Sequence, residues 1–239
     1  TKKVVEWLIN KSEKISGCLV GEPTNVNQMG DTIKIGRRGS FTGSLIVKGI
    51  QGHVGYPDLA ENPINSLLKM LEPFTKIYLD KGTSEFQPSS VMITTIDVNN
   101  NASNVIPGEV KAKFNIRFNT LHSIVSLKSM LKKQFDAITK NYEFDYFCNA
   151  EPFLTSDEDL KSTLQNAITK VVNINPEKST TGGTSDARFI TKLCPVIEFG
   201  LVGKTMHKID ENVEVDDIIK LTNIYNKFLY NYFRVEKND

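Results

Sequence analysis

Acidic and basic residues nearly cancel in this 239-residue chain: 29 Lys and Arg stand against 28 Asp and Glu, a formal charge of +1. Without an excess of either sign there is no electrostatic case for a nucleic-acid or anionic-membrane partner. Cysteine is scarce: Cys18, Cys148 and Cys194 are scattered, odd in number and form no CxxC pair. That argues against a disulfide framework and against a cysteine-rich zinc site. Their apolar neighbours (Leu19 and Val20, Leu193) predict free thiols in a reducing compartment, the cytoplasm. No apolar run approaches the roughly 20 residues of a membrane span. No long apolar core follows Thr1-Lys2-Lys3, so no signal-peptide pattern is expected. GxSxG, P-loop, dinucleotide-binding and HExxH motifs are all missing, as is an HxD pair. Nothing supports Ser-His-Asp or Cys-His catalysis.

What remains is an ordinary globular composition, 39% hydrophobic and 24% charged, with clear periodicity. The chain opens without Met and inside an amphipathic helical pattern (Val4, Val5, Leu8, Ile9), which suggests a piece of a longer protein. Gly17–Val20 reads as a short buried strand running into Gly21-Glu22-Pro23, where Pro23 holds Glu22 extended. From about Ser40 to Ala150 the pattern is β-α-β-β-α-β. Strands are expected over Phe41–Gly49, Val91–Val98, Val110–Phe118 and Tyr142–Cys148. Helices are expected over Asn62–Tyr78 and Ser123–Lys140, the first with Asn62-Pro63 as N-cap and first turn. This is the ferredoxin-like split unit, a four-stranded antiparallel sheet with two helices on one face. A helix (Ser156–Val172), a buried strand (Pro195–Gly200) and a long helix (Val213–Phe233) resume the first pattern. The fold class is therefore α/β: one domain over 1–38 and 151–239, interrupted by an inserted α+β domain over 39–150.

Several polar residues invite chemistry, each with an ordinary alternative. Glu22 ends a strand, where sites are built in open α/β sheets. His53 lies in a loop with three glycines and is a candidate hydrogen-bond donor to a reacting oxygen, or a solvated loop histidine. His207 follows a buried strand, where a ligand histidine would sit; a solvated loop residue is the alternative. His122 reads as surface. Thr180–Arg188 is a Gly/Thr-rich loop entering a helix, suited to an anion or to simple capping. In Gly36-Arg37-Arg38-Gly39 an arginine fork can meet a carboxylate, or form a hairpin-edge charge pair.

Read together, these runs carry more. Val-Gly-Glu-Pro-Thr (20–24), Gly-Arg-Arg-Gly-Ser (36–40), Gly-His-Val-Gly-Tyr-Pro (52–57), Leu-Ala-Glu-Asn-Pro (59–63), Asn-Val-Ile-Pro-Gly (104–108), Gly-Gly-Thr-Ser-Asp-Ala-Arg-Phe (182–189) and Glu-Phe-Gly (198–200) occur in one order. That order resembles, from end to end, the dizinc aminoacylase/carboxypeptidase family. Gly-Arg-Arg-Gly-Ser with Leu-Ala-Glu-Asn-Pro favours its desuccinylase branch over acetylornithine deacetylases and di- or tripeptidases.

The resemblance implies roles. Glu22 would be the terminal carboxylate on one zinc and His207 the terminal imidazole on the other, with cobalt a possible replacement. Arg37, Ser40, Arg117, Gly183 and Thr184 would hold the carboxylates or backbone of a small-molecule substrate. The inserted domain would form a homodimer, and His53 and Asn104 would reach from it into the neighbour's active site, where His53 stabilises the oxyanion. The reaction would be metal-assisted amide hydrolysis releasing succinate and LL-2,6-diaminopimelate. Family members also carry an HxD segment and a Glu-Glu pair, which supply the remaining ligands, the bridging carboxylate and the general base. Neither is in this sequence, so no tight dizinc site and no activity are expected of the 239 residues alone. Gly203 stands where the branch usually has a substrate-binding Asn. The reading from another class is a dimerising or binding module that keeps the fold without the chemistry.

Overall fold

The computed structural model describes residues 1–234. In chain order its elements are α1 (Lys2–Asn10), β1 (Cys18–Val20), β2 (Thr32–Lys34), β3 (Gly36–Arg37), β4 (Gly39–Lys48), β5 (Gly52–His53), α2 (Pro63–Leu71), β6 (Ser90–Asp97) and β7 (Val105–Ile106). There follow β8 (Glu109–Phe118), α3 (Ile124–Asp136), β9 (Tyr142–Ala150), β10 (Phe153–Leu154), α4 (Glu158–Val172), β11 (Glu177–Ser179), α5 (Ala187–Ile190), β12 (Val196–Glu198) and α6 (Val215–Phe233). They fall into two compact units, one made of 1–37 with 153–239 and the other of 38–152.

The inserted unit is built on a four-stranded sheet of order β6-β8-β4-β9, with every pairing antiparallel. β8 alternates strictly: Val110, Ala112, Phe114, Ile116 and Phe118 are buried and the residues between them are not. This period of two turns one face to the helices. Leu67, Met70 and Leu71 of α2 and Leu127, Leu131 and Phe135 of α3 close that face in a single core. Phe114 sits among Phe74, Phe135 and Phe144, with ring centroids 4.9–6.5 Å apart. Gly43 exists for this packing, because a Cβ there would stand 2.2 Å from the Phe114 ring.

Both helices stop earlier than their periodicity predicts. α2 begins where expected, with the Asn62 side chain accepting from the Ile64 amide, and ends at Leu71. Pro73 lacks the amide that would bond to the Lys69 carbonyl, and a 3₁₀ turn takes over to Lys76. α3 starts with a capping box at Ser123. It ends at Asp136, after which the Ile138 amide bonds to the Phe135 carbonyl three residues back and tightens the last turn before the chain enters β9. The two-residue pair β5–β7 was not anticipated.

His122 departs from the surface reading. Its side chain is only 18% exposed and its Nε2 lies 3.1 Å from Asp80. Asp80 is a hub: it accepts from the amides of Gly82 and Ser89 and from Asn119 Nδ2. These bonds pin the 77–90 excursion to the corner between β8 and α3.

The other unit has a mixed sheet of order β1-β12-β2-β11, with β12 buried along its length. α4 is capped by Asp157, which accepts from the Leu160 amide at 2.8 Å. Its Leu160, Leu164 and Ile168 pack with Ile224 and Phe228 of α6 against Ile33, Ile197 and Phe199. A smaller apolar cluster holds Cys18, Val20, Ala187, Cys194 and Val196. All three cysteines are free. Burial, with Cys18 nearby, pushes the Cys194 thiol up to about 11, so it is a packing residue. No helix among the described residues is long and apolar enough to cross a membrane.

Burial alone would raise the Asp80 carboxyl, but its hydrogen bonds from Ser89, Gly82 and Asn119 outweigh that and bring it down to about 2 from 3.8. Its ionised form therefore favours the fold, an effect complete above the unfolded value near 3.8 and lost as pH falls through about 2. Urea unfolding across this range is expected to show roughly 2 kcal/mol of pH-dependent stability that Asp80→Asn lacks. Identical acid limbs for the two proteins would contradict this.

Candidate active site

The site in the first unit starts from two loops that the sheet brings side by side. Glu22 follows β1. The loop after it is bolted down by Asn25, whose side chain accepts from the amides of Gly30 and Thr32 and donates to the Gly200 carbonyl at 2.6 Å. Asp31 accepts from three successive amides, Val26 to Gln28. Gly200 admits the Glu22 backbone: a Cβ there would stand 2.4 Å from the Glu22 carbonyl oxygen. His207 lies on the loop after β12. The Gly203 amide bonds to the Asn25 carbonyl, and Thr205 Oγ1 closes the loop by hydrogen bonds in both directions with the Asn212 backbone. His207 itself has φ +63°, an uncommon backbone conformation for a residue with a side chain. Asn25 thus ties the Glu22 loop to the His207 loop.

Glu22, His207, Arg37, Gly183 and Thr184 line one cleft of about 410 Å³. Five candidates spread from position 22 to position 207 are brought together. No group of three or more His, Cys, Asp or Glu able to hold a metal exists among the described residues. The residues present fit a metal only in part, offering one carboxylate and one imidazole on the cleft.

Beneath the cleft lies a carboxylate that the sequence reading passed over. Glu198, at the end of β12, has no exposure. Its Oε2 accepts from Arg37 Nε at 3.0 Å and again from Arg37 Nη2, and its Oε1 from Ser185 Oγ. Arg37 Nη1 donates to the Thr181 carbonyl. Arg37 therefore has its fork engaged inside the protein, and positions the Gly182-Gly183-Thr184 loop. Asp186 holds the N-cap position of α5 but makes no side-chain cap bond; the Ser185 hydroxyl accepts from the Ala187 amide at 3.3 Å and donates to Glu198. The available signal was an acid inside the apolar run Pro195–Phe199, since a buried carboxylate demands a partner.

The inserted unit holds the remaining candidates in two places. Ser40 and Arg117 face each other across β4 and β8, and Asn115 Nδ2 reaches Ser40 Oγ and Thr42 Oγ1. His53 pairs with Val105 in the β5–β7 ladder, next to Asn104, whose carbonyl accepts from the Val54 amide. The exposed His53 ring accepts from the Gly55 amide at Nδ1, 3.0 Å away. In the neutral ring that leaves the proton on Nε2, which can donate outward.

Comparison with known proteins meets this geometry. Residues 35–143 match the family model described as a peptidase dimerisation domain. The succinyl-diaminopimelate desuccinylase of Pelagibacter ubique is 54% identical over 237 residues, 98% of this chain and 62% of that protein. The desuccinylase of Wolbachia pipientis wMel is 48% identical over 98% of this chain and 58% of its own length. Over nearly its whole length the sequence is similar to these desuccinylases. It spans about three fifths of the length of these curated relatives. Among solved structures, an aminopeptidase from Bacillus cereus covers 95% of this chain and 60% of itself at TM-score 0.77 and 15% identity. An M20 family metallo-carboxypeptidase from Sulfolobus solfataricus covers 97% and 66% at TM-score 0.74 and 16% identity. These two establish likeness of fold.

Removing one partner of a buried ion pair strands the other. Glu198→Gln is expected to lower stability by about 3–5 kcal/mol, and Arg37→Met by a similar amount. The double variant Arg37→Met/Glu198→Leu should lose less than their sum. Additive losses in urea unfolding would show the pair is uncoupled.

Proposed function

We propose that these 239 residues are the substrate-clamping and dimerising part of a zinc-dependent amide hydrolase that removes succinate from N-succinyl-LL-2,6-diaminopimelate. The observation that carries the reading is the meeting of Glu22, His207 and the Gly183-Thr184 loop on one cleft, in a sequence 45–54% identical to proteins named as desuccinylases. Glu22 would hold one metal ion and His207 the other, with the remaining ligands and the general base outside these residues. The metal pair, zinc or cobalt, would polarise the amide carbonyl and activate water.

The chain's own residues bind and orient. The backbone amides of Gly183 and Thr184 and the Thr184 hydroxyl would hold one carboxylate of the substrate. Arg37 keeps that loop in place from below through Thr181, and Ser40 and Arg117 offer a hydroxyl and a guanidinium to another carboxylate. His53 Nε2 would donate to the oxygen that gains negative charge as water adds to the amide, and Asn104 lies beside it. Water adds across the C–N bond, and succinate and the free amine leave. His53 and Asn104 would act on the neighbouring subunit of a homodimer, a reading supported by the peptidase dimerisation domain at 35–143. Free thiols fit a cytoplasmic setting. The competing non-catalytic reading has one point in its favour, the lack of a complete metal group among the described residues.

Given zinc, the 239-residue chain is expected to hydrolyse no substrate, and to sediment as a dimer. A protein of the relatives' full length should turn over N-succinyl-diaminopimelate in preference to N-acetylornithine. In that longer protein Glu22→Ala or His207→Ala should lower kcat by about 10²-fold or more and weaken metal binding. Turnover by the 239-residue chain alone, or equal turnover of the two substrates, would contradict the reading.

A further inference from the structure

His53 stands on the shortest ladder of the inserted unit. The pairing of β5 with β7 is two residues long, and so short a pair is marginal on its own. On the β5 side the backbone is well secured. The Gly49 amide bonds to the Gly108 carbonyl, and Ile50 and Glu61 exchange amide-to-carbonyl bonds in both directions. On the β7 side the chain arrives through residues 99–104, every one of them exposed. No apolar burial holds that segment, so hydrogen bonds decide its shape.

One side chain does most of the joining. Asn100 Oδ1 accepts from the Ala102 amide at 3.1 Å, and its Nδ2 donates to the Val105 carbonyl at 2.9 Å. The ladder leaves that carbonyl open. The Val54 amide bonds to the Asn104 carbonyl at 3.0 Å, which makes His53 and Val105 a non-hydrogen-bonded pair whose own backbone groups point out of the ladder. Asn100 therefore closes residues 100–105 into a ring on the outer side of β7. Each of these solvent-exposed bonds contributes little to stability; what they determine is where the backbone of β7 lies.

The ring reaches His53 through backbone alone. It fixes the Asn104 carbonyl, which holds the Val54 amide. Val54 begins the turn in which the Tyr56 amide returns to the His53 carbonyl at 2.9 Å and the Gly55 amide meets His53 Nδ1 at 3.0 Å. That last bond occupies Nδ1 as an acceptor and leaves the proton of the neutral ring on Nε2. The tautomer that can donate outward depends on a turn, and the turn on a loop that Asn100 closes.

We propose that Asn100 is a positioning residue for His53: by clasping the Val105 carbonyl it holds the turn that keeps the His53 proton on Nε2. The inference rests on reading His53 as the donor to the oxyanion of an amide hydrolase, and adds what orients it.

The tautomer can be read in the 239-residue protein without turnover. At a pH where His53 is neutral, its ring-nitrogen NMR signals are expected to show the proton on Nε2. Asn100→Ala should give a mixture of both tautomers, while its urea midpoint stays near that of the wild type, because residues 99–104 bury nothing apolar. Asn100→Asp separates the two hydrogen bonds. It keeps the acceptor for the Ala102 amide and loses the donor to Val105, so it should behave as Asn100→Ala. In a protein of the relatives' full length Asn100→Ala should lower kcat about tenfold with KM unchanged, less than the roughly 10²-fold cost of losing an oxyanion donor outright. In a His53→Ala background the same change should cost no more than about twofold. A wild-type ring protonated on Nδ1, an unchanged tautomer in Asn100→Ala, a wild-type tautomer in Asn100→Asp, or equal losses with and without His53 would each overturn the proposal. If the tautomer responds but the longer protein hydrolyses nothing, the activity reading fails alone. If the longer protein is a desuccinylase and Asn100→Ala retains its kcat, this inference fails alone.

Discussion

A carboxylate without solvent sits at the end of the central strand β12, and the cleft is organised around it. Glu198 draws Arg37 inward from β3 and Ser185 inward from the turn before α5. Arg37 in turn fixes the Thr181 carbonyl, so the glycine-rich loop is held from below while its upper face stays open. As a source of net stability such a pair is unremarkable, since apolar residues of the same volume often serve as well. What it provides is geometry: loop, strand and helix start are set by one acceptor, and none can shift without exposing a charge to an apolar interior.

The inserted unit was largely legible because its signals are local. Strict alternation in 109–118 fixed a strand, and Asn62-Pro63 and Ser123 fixed helix starts. The errors were also local. Pro73 ended α2 sooner than the apolar spacing suggested, and the two-residue ladder of β5 with β7 is too short for any periodicity to reveal. The site divided differently. Glu22, His207, Gly183 and Thr184 were nominated by motif, and they do share a cleft. The motif could not say that Arg37 is already engaged, because its partner lies 161 residues away. Nor could it say that Lys34, one charge within Ile33-Lys34-Ile35, is buried. Isolated charges inside apolar strand runs were the clue, at Lys34 and Glu198 alike.

The two kinds of comparison speak to different levels. Likeness at 15–16% identity with peptidase structures reports a shared framework and nothing finer. Identity near one half with desuccinylases extends to the side chains.

One junction in the chain has a wider meaning. In the first unit the chain leaves at Arg37 and returns at Phe153, and these two residues are paired neighbours of β3 and β10. In the inserted unit the entering and departing strands, β4 and β9, are likewise paired, with Ser40 opposite Ala150. Each unit therefore closes its own gap, with ends about 5 Å apart at the ladder. A tight turn could replace the insert in its host, and a short linker could join the ends of the host around a different one. The covalent path treats residues 38–152 as a cassette: something a lineage can gain, lose or exchange as a piece, while the strands that frame it keep their register.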